Sequence, residues 1–84
     1  MNGYCITFRS VTPAQRGENV LHKYGYRSSL QRTPRWMEEK GCGYCLRIYT
    51  DRLGEVTALL RKNAVDFRKV YLFRPDGEAE EIRL

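Results

Sequence analysis

The chain has little of what most enzymatic machinery requires. Among 84 residues there is one histidine and one tryptophan. The only histidine, His22, lies away from the cysteine motif, so no Ser-His-Asp or Cys-His-Asn set can be assembled and no cluster suggests hydrolysis. No glycine-rich phosphate-binding loop is present. No apolar run approaches the ~18 residues a membrane span needs, and Met1-Asn2-Gly3-Tyr4 opens no signal peptide. Three cysteines are odd in number and do not suit a disulfide framework. A second Cys-x-x-Cys, which a zinc ribbon would want, is missing. The length fits one small domain with a thin core. A soluble, cytoplasmic, single-domain protein with no membrane association is therefore expected.

What the chain does have is positive charge, unevenly placed. Fifteen basic residues against ten acidic give a net charge of +5. Four of the acids, Asp76, Glu78, Glu80 and Glu81, follow Pro75, where only Arg83 is basic. Residues 1–74 thus form a body with 14 positive and 6 negative charges, and residues 75–84 an acidic C-terminal tail. Eleven of the bases are arginine, whose planar fork suits bidentate contact with anions. A solvated basic surface is the plainer alternative.

The pattern alternates between strand and helix periods. Tyr4, Ile6 and Phe8 alternate with Cys5, Thr7 and Arg9, a strand with one buried face. Thr12-Pro13 supplies an N-cap and a first-turn proline. A helical stripe of Ala14, Gly17, Val20, Leu21 and Tyr24 then stops at Gly25. Arg27 to Thr33 reads as a weakly apolar edge strand ended by Pro34, and residues 34–43 as a loop. Tyr44, Leu46 and Ile48 mark a third strand. Asp51 is placed to cap a second helix with the stripe Leu53, Val56, Leu60 and Ala64. Phe67 to Phe73 forms a fourth strand, and Pro75-Asp76-Gly77 turns out of it. The last seven residues fit a frayed tail or a short added strand.

The order β-α-β-β-α-β predicts an α+β, ferredoxin-like split βαβ fold. Two helices would cover one face of a four-stranded antiparallel sheet in the order 4-1-3-2. In that topology the start of helix 1, the 34–43 loop and the turn near Asn63–Asp66 collect at one end, with Cys42 and Cys45. Cys5 and His22 are expected at the other end, roughly 10–15 Å away at ~3.3 Å per residue. Those four are the only soft or imidazole ligands. Their separation argues against a zinc site within one chain, leaving zinc shared by two copies as a third reading.

Cys42-Gly43-Tyr44-Cys45 is where chemistry concentrates. Gly41 and Gly43 permit unusual backbone angles and an exposed amide nest around Cys42. Arg35 shares the loop, Arg9 is expected close to Cys45 on the open sheet face, and Arg47 lies next along the strand. Nearby cations and a helix N-terminus raise the thiolate fraction of a cysteine. Cys42 is thus a candidate reactive thiolate, with Cys45 its resolving or second-carrier partner. The alternative is architectural, two small residues flanking a glycine turn. Thioredoxin-like chemistry fits less well, because Cys45 begins a strand rather than a helix.

A nucleic-acid reading competes. Lys40-Gly41-Cys42-Gly43-Tyr44 matches four of the five places of the Lys/Arg-Gly-aromatic-Gly-aromatic stretch of RNA-recognition modules. Cys42 stands where a base-stacking ring belongs, Arg47 takes the signature's last aromatic place, and Cys5 replaces the strand 1 ring. Tyr49, Tyr71 and Phe73 remain to line the open face. A binding module using that basic face for RNA or a protein partner is therefore the main alternative. The same uncovered face is a surface for homodimer formation.

Thr33-Pro34-Arg35, a short loop, and then Cys42-Gly43-x-Cys45-Leu46-Arg47-Ile48 resemble a family of small bacterial selenium/sulfur (Se/S) carrier-like proteins of unknown function. Ile6-Thr7-Phe8, helix 1 and Gly25 resemble that family's opening, so the likeness spans about residues 4–73. It implies a non-catalytic carrier or accessory protein holding persulfide or perselenide on Cys42, with Gly43 and the Pro34-Arg35 loop as its setting. Donor and acceptor proteins would be its partners, and no cofactor is required. Trp36 and Met37 are candidates for docking them, since aromatics and methionine are favoured at interfaces.

Overall fold

The computed structural model of the chain describes residues 2–33, 43–74 and 76–83. Its elements run β1 Asn2–Phe8, α1 Val11–Lys23, β2 Ser28–Arg32, β3 Tyr44–Thr50, α2 Leu53–Lys62, β4 Val70–Phe73 and β5 Ala79–Ile82. All neighbouring strands are antiparallel, in the order β2-β3-β1-β4-β5. The fold is α+β and roughly compatible with the expected split βαβ arrangement, but the sheet has five strands rather than four. The acidic segment supplies the fifth. Gly77, at φ +88°, and its N–H bond to the Arg74 carbonyl (2.9 Å) turn the chain back. Arg74 pairs with Glu80, and Lys69 with Glu81 at 3.7 Å, so basic and acidic residues meet across the new strand pair.

The core lies between the helices and one sheet face. Tyr4, Ile6 and Phe8 from β1, with Leu46, Ile48 and Val70, pack against Ala14, Leu21, Val56 and Leu60. Gly17 sets how closely α1 approaches. A Cβ there would stand 3.1 Å from Phe8 Cζ and 3.2 Å from Leu46 Cδ1.

Several boundaries differ from the sequence expectation. α1 begins one residue before Thr12, with Ser10 as the extended N-cap. Pro13 still falls in the first turn, where its missing N–H leaves no bond unmade. Tyr24 lies beyond the helix and is 46% exposed, so it leaves the apolar stripe. α2 is preceded by Arg52 rather than capped by Asp51; the Arg52 N–H donates to Thr50 Oγ1 at 2.9 Å. Ala64 falls outside α2, exposed at φ +59°. β4 starts at Val70, not Phe67. The residues before it are tied to β1 instead, through Arg68 N–H to the Thr7 carbonyl and Thr7 N–H to the Lys69 carbonyl, both 2.8 Å. Among the described residues no helix is long and apolar enough to cross a membrane.

Candidate functional site

Strand alternation sends Tyr4, Ile6 and Phe8 to the helices and Gly3, Cys5 and Thr7 to the opposite face. The register builds that face row by row. Gly3 lies between Tyr49 and Phe73, Cys5 between Arg47 and Tyr71, and Thr7 opposite Cys45. Cys5 and Cys45 are therefore diagonal neighbours on adjacent strands, packed together with Tyr71, Phe73 and Ala79.

This overturns the separation expected between Cys5 and Cys45. β1 begins at Asn2, before the apolar alternation becomes visible, so Cys5 sits in mid-strand rather than at its start. Both thiols are 1% exposed. The pair divides its protons unequally. Cys45 is held below the ordinary thiol range chiefly by a hydrogen bond from Cys5, helped by Thr33 and the Arg47 charge, and opposed by burial. Cys5 is pushed far up, first by its bond to Cys45 and then by burial. Of the two, Cys45 is the thiol that ionises first.

Arg47 passes over Cys5, one member of this pair. Its guanidinium lies 4.1 Å from the centroid of Phe73, on β4. To reach it the side chain crosses β1 above Cys5, its directly opposed partner. The Arg47 Nε is buried without a hydrogen-bond partner among the described residues. Thr33, whose N–H donates to the Gly43 carbonyl at 3.0 Å, extends the β2–β3 pairing by one row. Its Oγ1 is likewise buried and makes no hydrogen bond of ordinary geometry among the described residues.

Of the anticipated site residues, the structure thus brings Cys45 and Arg47 together and buries Gly43 beside Thr33. Arg9 is exposed beyond the end of β1. It lines a separate groove of about 440 Å³ with Pro13, Arg16, Asp66 and Arg68. Cys42, Arg35, Trp36, Met37 and Gly41 lie outside the described residues. Cys5 and Thr33 were not anticipated as site residues; both become visible only with the strand register. His22 is exposed on α1. No group of three His, Cys, Asp or Glu residues suited to a metal occurs among the described residues.

The rings of the open face differ in availability. Tyr49 is 59% exposed, over the bare backbone of Gly3, whereas Phe73 is partly buried and carries Arg47. A base would have to displace that cation to stack on Phe73.

A family model described as "Putative Se/S carrier protein-like" matches residues 3–72. No curated protein and no solved structure matches the chain.

Proposed function

Because the chain belongs to this Se/S carrier-like family, we propose that it holds sulfane sulfur, or the equivalent selenium, on cysteine and hands it between a donor and an acceptor protein. The observation that carries this reading is the buried thiol pair, in which Cys45 is favoured as the thiolate three residues after Cys42. The thiolate is the nucleophilic form of cysteine. Cys42, between Gly41 and Gly43, is the residue we assign to entry. Its thiolate attacks the outer sulfur of a donor persulfide R–S–SH. A bond forms between Cys42 and that sulfur, the donor's S–S bond breaks, and R–S⁻ leaves with the electron pair. Cys45 is the second carrier or resolving thiol. Arg35 and Arg47 favour anionic sulfur, and Trp36 and Met37 dock the partners.

The test is uptake from a low-molecular persulfide, read cysteine by cysteine through alkylation and mass spectrometry. A pH series of alkylation rates runs beside it. Loading is expected to be lost in Cys42→Ser and kept in Cys5→Ser, with Cys42 titrating below the ~8.5 of a free thiol. If no cysteine gains sulfur and Cys42 titrates normally, the thiols are architecture. Salt-dependent binding of single-stranded RNA, weakened by Arg47→Ala and indifferent to Cys42→Ser, would then favour the binding-module reading.

A further inference from the structure

The donors around Cys45 have a use that the thiol pair alone does not require. Thr33 is 8% exposed; its Oγ1 faces Cys45 closely enough to help hold that thiol down, yet makes no hydrogen bond of ordinary geometry among the described residues. Arg47 Nε, also buried, makes no hydrogen bond among them either. Both are donors, and buried donors are rarely left unmatched in a folded protein. The register places them on either side of one residue. Thr33 pairs with Gly43, two residues before Cys45, while Arg47 follows Cys45 by two on the same strand face. Cys5 approaches from the adjacent strand. Cys45 thus has a hydroxyl and a thiol beside it and feels the Arg47 charge two residues along the strand, with Tyr71 and Phe73 packed against the thiol pair.

We propose that Thr33 and Arg47 form an anion seat for the terminal sulfur or selenium of a persulfide or perselenide on Cys45, so that the cargo is stored within the sheet face. The inference rests on the carrier reading and adds where the cargo is kept and what holds it. A persulfide anion is a thiolate lengthened by one atom, with its charge on the added atom. Thr33 and Arg47 can donate to that atom, while Cys5 keeps its bond to the sulfur bound to the chain. Charge-assisted bonds of this kind are the strong ones.

The transfer balances without an added oxidant or reductant. The Cys45 thiolate attacks the outer sulfur of R–S–SH, where R–S is Cys42. One S–S bond forms, one breaks, and R–S⁻ departs with the electron pair. The proton on the transferred sulfur passes to R–S⁻, leaving R–SH and the anion Cys45–S–S⁻ in the seat.

The deciding experiment equilibrates the full chain with cysteine persulfide and locates the added sulfur by alkylation and mass spectrometry. Wild type is expected to accumulate it on Cys45. Thr33→Val, which keeps the shape and removes the donor, is expected to lower Cys45 occupancy about tenfold, the scale of one hydrogen bond to a charged group. Thr33→Ser restores the donor and the occupancy. Sulfur found on Cys42 and never on Cys45 overturns the seat while leaving the carrier reading intact, and this comparison needs only wild type. Equal Cys45 occupancy in folded Thr33→Val and wild type overturns it too. Sulfur on neither cysteine overturns the carrier reading and the seat with it.

Discussion

At the scale of single residues, Cys5 and Cys45 make opposite demands on pH. The Cys45 pKa is lowered by folding, so its contribution to stability is complete above the ~8.5 of an unfolded thiol and is lost as pH falls through the lower native value. The Cys5 pKa is raised by folding, so its contribution is complete below ~8.5 and is lost as pH climbs past it. Their sum is a maximum near pH 8.5, with limbs of at most ~1.4 kcal/mol per pH unit. Urea denaturation across the thiol range is expected to show this maximum. Cys45→Ala is expected to flatten its acid limb, and an unchanged acid limb would remove Cys45 as the ionised partner. Ala64 makes a separate prediction. A non-glycine residue at φ +59° is strained by roughly 1 kcal/mol, so Ala64→Gly is expected to raise stability by some tenths of a kcal/mol to about 1 kcal/mol.

At the scale of elements, what could be read from the chain depended on whether a residue's neighbours are local. β1, β3 and both helices were legible because Tyr4/Ile6/Phe8, Tyr44/Leu46/Ile48 and the Ala14–Gly17–Leu21 stripe turn to the core, although β1, expected to bury one face, is buried on both. β5 was not, because Ala79–Ile82 has almost no apolar pattern and is held by cross-strand pairing with β4 and by its charges. Cys45 and Arg47 could be picked out from the motif. The nearness of Cys5 and Thr33 depends on which residue of β1 faces which residue of β3, and periodicity does not encode that offset. Gly17 tests the helix packing. Alanine would gain about 1 kcal/mol in helix propensity, but its methyl meets Phe8, Leu46 and Leu60 within 3.4 Å. Those side chains are wholly buried, so overpacking of about 1–3 kcal/mol prevails. Chemical denaturation of Gly17→Ala should show net destabilisation; a gain in stability would mean the interface yields.

At the scale of the molecule, β5 both closes an edge and offsets charge. Ending the chain after Arg74 removes four acids and one base. It also leaves the outer edge of β4, which carries Tyr71 and Phe73, without a partner strand. An unpaired edge invites association, while the added positive charge resists it until salt screens it over about 10 Å. Sedimentation of the truncated chain is therefore expected to show a monomer at low salt and larger species at high salt. Monomers throughout would mean that the edge is protected without β5. In the intact chain β1 is bonded on both sides, whereas β2 is an outer strand. Amide hydrogen exchange is expected to be slowest in Gly3–Ile6 and faster in β2.

The central position of β1 also governs the order of events as the chain is made. This strand comes first in the sequence, yet Thr7 is joined to Lys69 across a separation of 62 residues. The sheet cannot be completed until that distant segment has been synthesised and brought back, and such non-local closures are slow. Cys5 spends the interval without Arg47 above it or Tyr71 at its side. A thiol that is only 1% exposed in the finished protein is thus the one exposed longest to oxidants during synthesis.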